Sequence, residues 1–287
     1  MPTILAPTAD LARSITADVT VEAEYGSVVI EGTRYTAAHH GGTWKGRPAP
    51  CNDPGIPTLG PGATILVSHI DLDTIGGCLR VLWGDAELFS HRSFWKLAEF
   101  VDLNGPHKLG QSGASETDLE RLYAFWAWSK ATQTRLPRDE IADVSRVVTD
   151  AGEALRAIVI QEDEGLLAAG REFRKAEAEL NQRTFVRMSG PVLVRIAEVA
   201  AEFCNHLYAT PDTGEPALAV VCYNREFGSV TISIADPVPG VSCREIVQGL
   251  WGPEAGGHDG IAGGPRGQSM GERELEAAVA ALFDALS

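Results

Sequence analysis

The chain is short of positive charge. Its 287 residues hold 24 Lys and Arg against 39 Asp and Glu, a net charge of −15. Binding of long nucleic acid rests on clustered cations that neutralise phosphates, so duplex DNA and long RNA are not expected partners, and a small anionic substrate is favoured. Cysteine is also scarce: Cys51, Cys78, Cys204, Cys222 and Cys243 are odd in number and scattered, with no Cys-x-x-Cys. This argues against a disulfide framework and for reduced thiols in a cytoplasmic protein. No apolar run approaches the roughly 18 residues of a membrane span, and the N-terminus lacks the basic start and apolar stretch of a secretory signal. No membrane partner is expected. With 44% hydrophobic residues the chain can bury a full core, and its length suits one large or two ordinary domains. Assembly into a homo-oligomer is left open.

What is present concentrates in two stretches. The first is Thr64-Ile-Leu-Val-Ser-His-Ile-Asp-Leu-Asp-Thr-Ile-Gly-Gly77. An apolar strand runs into His69, Asp71 and Asp73. On an extended segment alternate side chains share a face, so these three are expected to converge as half of a divalent-metal site. The second is Glu254-Ala-Gly-Gly-His-Asp-Gly-Ile-Ala-Gly-Gly-Pro-Arg-Gly267, with six glycines in fourteen residues. Glycine lets the backbone approach a ligand closely. The N–H groups of Gly256, Gly257, Gly263 and Gly264, with His258 and Arg266, are expected to hold an anion.

The rest of the chain supplies a frame. Polar and apolar residues alternate through 19–36, predicting a β-hairpin or small sheet extension around Tyr25-Gly26. Residues 39–62 are rich in Gly and Pro and carry His39 and His40. The 63–68 strand leads to a helix through 76–83, then a strand at 86–89, a short helix at 94–97 and a strand end at Phe100-Val-Asp102. That alternation predicts a parallel sheet, with ligands at the carboxyl ends of its strands. Helical spacing covers 117–128, 139–160 and 163–182, and Trp126 and Trp128 fit a core better than a stacking platform. Beyond Gly190-Pro191 follow a helix at 199–207, strands at 217–224 and 229–234, a short helix at 241–247 and an amphipathic helix at 272–283.

Together the two stretches resemble the DHH phosphoesterase superfamily. His69-Ile-Asp-Leu-Asp-Thr-Ile-Gly-Gly77 looks like its first motif, and Gly256-Gly-His-Asp-Gly-Ile-Ala-Gly-Gly264 like the Gly-Gly-Gly-His loop of its C-terminal associated domain. The resemblance covers about 60–80 and 215–267. It implies an α/β protein: a metal-binding parallel-sheet domain (1–160, with the N-terminal β extension), a linker helix (161–185) and a smaller α/β substrate-binding domain (186–287), with the active site in the cleft between them. It further implies Mn²⁺, one or two ions, which suits mixed carboxylate and imidazole ligands, and phosphoester or phosphoanhydride hydrolysis, with His258 and Arg266 acting on the substrate.

The chain departs from the family in having no Asp-His-His triplet. Asp102 matches the second-motif Asp, and the ligand set is expected to be completed by it and one histidine. His107 ranks first by the resemblance, then His40 and His39, of which an extended chain would present only one. Two other readings stand beside the phosphoesterase: a metal hydrolase of a non-phosphate anion, and a non-catalytic nucleotide or anion sensor.

Overall fold

The computed structural model describes residues 2–287 except 27, 41, 85, 133–135, 138, 203 and 266. The chain divides into two compact units, 1–173 and 174–287, and both are α/β.

Unit 1 comprises β1 (Thr3–Leu5), α1 (Ala9–Ala12), β2 (Val19–Val21), β3 (Glu24–Tyr25), β4 (Val28–Val29), β5 (Tyr35–Ala37), β6 (Ile65–Val67), α2 (Leu72–Leu82), α3 (Ala86–Ser90), α4 (Arg92–Asn104), α5 (Glu116–Thr132), β7 (Ala142–Asp143), α6 (Ser145–Val159) and the first half of α7 (Glu164–Thr184). Its sheet has the order β5-β2-β6-β1-β7. β5, β2, β6 and β1 are mutually parallel, and β7 closes the β1 edge antiparallel. Parallel strands buried on both faces read as continuous apolar runs, and Val19, Val21, Ile65, Leu66 and Val67 are all fully buried.

The helices of unit 1 follow from spacing. On α6, Val148, Ala151, Leu155 and Ile158 form one buried stripe at helical periodicity. Gly152 on that stripe has no room for a side chain: a Cβ would lie 2.4 Å from the Trp83 ring and 2.6 Å from Leu79. α2 is equally close-set against the 49–51 segment. A Cβ on Gly76 would fall 2.6 Å from that of Cys51 and 2.8 Å from the Trp95 ring, and one on Gly77 2.6 Å from Pro50. Those two glycines therefore serve helix packing.

Several expectations for unit 1 are corrected. β2 is a central strand of the main sheet, and only the small β3–β4 ribbon is a hairpin. Residues 86–89 and 100–102 are helical, in α3 and α4. Their short apolar runs suit either state, and a 13-residue amphipathic helix that buries Phe94, Trp95, Leu97 and Ala98 prevails.

Unit 2 comprises the second half of α7, β8 (Phe185–Ser189), β9 (Val192–Ala197), β10 (Ala219–Asn224), β11 (Ser229–Ile234), α8 (Cys243–Trp251), β12 (Gly256–Gly257), β13 (Ile261–Gly263) and α9 (Glu272–Leu286). The sheet order is β12-β13-β11-β10-β9-β8, with β9 and β10 parallel and the other pairs antiparallel. Val192 and Val194 pack with the α8 and α9 residues Val247, Leu275 and Leu282. Leu193, one step out of phase, packs on the opposite face with Cys204, Tyr208 and Val220. The 199–207 helix is not formed; a short 3₁₀ turn at Ala200–Glu202 stands there. The segment is pinned by Arg195, which is fully buried and donates to the carbonyls of Asn181, Leu207 and Ala209. Among the described residues no helix is long and apolar enough to cross a membrane.

Candidate metal centre

Three neighbouring parallel strands deliver the site. β2 ends into Glu22, β5 into His39 and His40, and β6 into Ser68 and His69, so these residues leave the sheet at one edge, where open α/β sheets place their ligands. Glu22 holds a left-handed backbone, φ +52°, which costs a non-glycine residue energy and persists where the surroundings impose it. Its carboxyl group is 1% exposed.

The imidazoles complete the cluster with two aspartates. His39 Nε2 lies 3.1 Å from Glu22 Oε1, 3.1 Å from Asp102 Oδ2 and 3.6 Å from Asp73 Oδ2. His40 Nε2 lies 3.2 Å from Asp102 Oδ2 and 3.5 Å from Glu22 Oε2. Asp73 comes from the first turn of α2 and Asp102 from the last turn of α4. Backbone amides set the positions. Glu24 Oε2 accepts the N–H of both His39 and His40, at 3.1 and 3.3 Å, and Asp73 Oδ1 accepts that of Cys51 at 2.8 Å.

The donor set fits a divalent cation. Three carboxylate oxygens surround His39 Nε2, which can donate one proton at most. Both Glu22 oxygens, Asp73 Oδ2 and Asp102 Oδ2 are buried without a properly directed hydrogen bond, a costly arrangement unless something else satisfies them. Ligand atoms side by side around an ion with bonds of about 2.1 Å lie about 3 Å apart, close to the spacings found here. The ligand atoms of Glu22, His39 and His40 form one compact set, and those of His39, Asp73 and Asp102 another.

Electrostatics agree. Burial raises the Glu22 pKa despite His39, and raises that of Asp73 to about 7. Burial opposes protonation of His39, but Asp102 and Glu22 prevail and lift it to about 10. The close Asp102 carboxylate raises His40. Asp102 itself is lowered: burial pushes its pKa up, and the two imidazoles outweigh that. At neutral pH His39 therefore carries a proton that an incoming divalent ion would displace.

The expected ligands separate. Asp73 and Asp102 enter the cluster, and both His39 and His40 reach it, because the chain bends at His40 instead of staying extended. His69 and Asp71 pair with each other at 3.2 Å. The strand ends at Val67, so the one-face convergence expected of an extended segment does not arise. Asp71 instead caps α2 through Oδ1, which accepts from Thr74 N at 2.8 Å. His69 Nδ1 lies 2.8 Å from Ser68 Oγ; Asp71 raises its pKa, with Glu22 and Asp102 adding to the effect. His107 sits in the 3₁₀ turn after α4 and belongs to neither compact set. Glu22 was not anticipated. Its one sequence signal is an acid ending an apolar strand beside the strand that carries His39-His40.

Two cavities of unit 1 touch these groups. One, of about 710 Å³, includes Ile70, Asp71, Ile75, Phe125, Trp128 and Arg146. Trp126 and Trp128 both pack against the core. The other, of about 810 Å³, reaches His39.

The glycine-rich segment of unit 2 is a β-hairpin of β12 and β13. Its N–H groups are partly committed: His258 donates to Ile261 O at 2.7 Å and Gly264 to Val230 O at 3.1 Å. Gly257, at φ +149°, would bring a Cβ within 2.4 Å of Ile261 O, and Gly264 within 2.4 Å of Met270 Sδ. At Gly257, where the clash is with backbone, glycine answers a steric need; at Gly264 the neighbour is the flexible end of Met270. Gly256 and Gly263 pair across the hairpin, His258 is exposed, and Arg266 lies outside the described residues.

No family model matches the chain, and no curated protein matches it in sequence. Among solved structures, the chain is similar to an uncharacterized protein from Helicobacter pylori G27 at 10% identity and a TM-score of 0.23, over 77% of this chain and 69% of that one. A likeness that weak carries no argument about function.

Proposed function

We propose that the protein is a divalent-metal-dependent hydrolase, a phosphoesterase of small phosphate-bearing molecules, with Glu22, His39, His40, Asp73 and Asp102 as its metal ligands. The observation that carries this reading is the set of buried carboxylate oxygens directed at two imidazoles without hydrogen-bond satisfaction. Carboxylate plus imidazole favours Mn²⁺ over Ca²⁺. The resemblance of the His69–Gly77 and Gly256–Gly264 stretches to the DHH phosphoesterases supports the choice of reaction, and the adjacent pair His39-His40 supplies imidazoles that the missing triplet would otherwise bring. Five free, buried cysteines suit a reducing compartment such as the cytoplasm.

When bound, the ion would supply Lewis-acid polarisation and a more acidic water. The chain's own groups do the rest. Asp73 and Glu22 are held dry, which strengthens their electrostatic action. His69, half-exposed and held by Asp71 on Nε2, is placed to take or give a proton at the rim. The test is incubation of Mn²⁺-loaded protein with bis-para-nitrophenyl phosphate and a panel of dinucleotides. Metal-dependent turnover of at least one is expected. Stoichiometric metal with no turnover of any would reject the hydrolase reading.

A further inference from the structure

The cavity that reaches His39 is lined by Arg47, Arg80, Arg92 and Lys96, with Glu99 as its sole acid among the described residues. In a chain of net charge −15 such a gathering of cations is out of keeping with the whole. Asp53 and Asp73 act on Arg80, yet on the cavity wall itself four cations face one acid. Glu99 keeps its charge but is held by neutral donors, Ala49 N at 3.1 Å and Asn52 Nδ2 at 2.8 Å, and forms no ion pair with the cavity's cations. Arg80 stacks on Phe89 at 4.0 Å and donates Nε to the Cys51 carbonyl. Arg47 stacks on Trp44, also at 4.0 Å. Among the described residues no carboxylate forms an ion pair with Arg47, Arg80, Arg92 or Lys96.

The helix α4 ties this cavity to the metal centre. Arg92, Lys96, Glu99 and Leu103 line the cavity and share one face at helical spacing, and Asp102 follows on the same last turn. A volume near 810 Å³ is ligand-sized, within the roughly 300–1,000 Å³ of small-molecule sites. Guanidinium forks and a lysine suit phosphate oxygens.

We infer that this cavity binds the phosphate groups of the substrate, a role the sequence had pointed to in the glycine-rich hairpin of unit 2. The inference rests on the phosphoesterase reading for calling the occupant a substrate, but its anion binding stands apart from the metal. The test is calorimetric titration of metal-stripped protein, at low salt and without chelator, with inorganic pyrophosphate. Wild type is expected to bind. The Arg92→Gln/Lys96→Gln double variant, whose side chains are exposed so that folding is spared, is expected to lose about ten-fold or more in affinity while keeping its Mn²⁺ content, and His258→Ala to bind as wild type. No binding by wild type, unchanged affinity in the double variant, or loss in His258→Ala instead would overturn the inference. Intact, Arg92- and Lys96-dependent binding in a protein that hydrolyses nothing would tell against the phosphoesterase reading alone.

Discussion

His39 Nε2 and Asp102 Oδ2 stand 3.1 Å apart, joining the loop after the edge strand β5 to the last turn of α4. The contact is one edge of a polyhedron whose other corners are Glu22, His40 and Asp73. Its consequences can be measured.

Metal affinity should rise with pH. Metal-free His39 has its pKa lifted to about 10, and Asp73 to about 7. At neutral pH His39 holds a proton and Asp73 is partly protonated, and an incoming cation must displace both. Raising the pH removes that competition, so Mn²⁺ should bind more tightly as pH climbs from 6 toward 9, with proton release visible as a buffer-dependent enthalpy. Affinity that falls over this range would refute the assigned protonation states.

The two aspartates of the strand-following motif should behave differently. Asp73→Asn should abolish Mn²⁺ binding with the fold intact, since the Cys51 N–H can still find an amide oxygen. Asp71→Ala should leave metal content unchanged and cost about 1 kcal/mol through loss of the α2 cap. Elemental analysis and urea denaturation of the pair decide this, and equal metal loss in both would return Asp71 to the ligand set.

His69→Ala should lower turnover while Mn²⁺ stays bound. His69 meets Asp71 and Ser68 and is half-exposed, so it can serve the reaction without holding the ion. The kcat should fall by roughly 10²-fold or more, the usual range for a lost proton-transfer group, and the pH–rate profile should lose one limb. A variant devoid of metal would place His69 among the ligands.

Gly76→Ala should destabilise unit 1 by about 1–3 kcal/mol, because its new methyl would meet Cys51 and Trp95. The denaturation midpoint should drop, and with it metal affinity, since Cys51 N positions Asp73. An unchanged midpoint would mean that the helix can shift without cost.

Which of these features the sequence disclosed depends on how local their cause is. The β6 strand and the Asp73 position could be read from an apolar run entering a polar cluster. The α2, α6 and α9 helices could be read from spacing. Asp102 lies in the cluster, but on α4 and not at the strand end that Phe100-Val-Asp102 suggests, because that stretch in isolation carries no period. An extended chain would present only one of His39 and His40, and the bend that turns both toward the cluster places both amides on Glu24, which no local pattern shows. Glu22 is not legible locally, since its place in the cluster depends on β2 lying between β5 and β6, a long-range pairing that an alternating stretch beside Tyr25-Gly26 disguises as a hairpin.

The most direct test is the Mn²⁺ stoichiometry of Glu22→Gln beside that of wild type, by elemental analysis after dialysis. The substitution keeps shape and removes the charge that faces His39 and His40 across the cluster. Wild type should retain stoichiometric Mn²⁺, and Glu22→Gln should retain little while its circular dichroism spectrum is unchanged. Wild type without metal, or Glu22→Gln with a full complement, would contradict the assignment of this cluster as a metal centre.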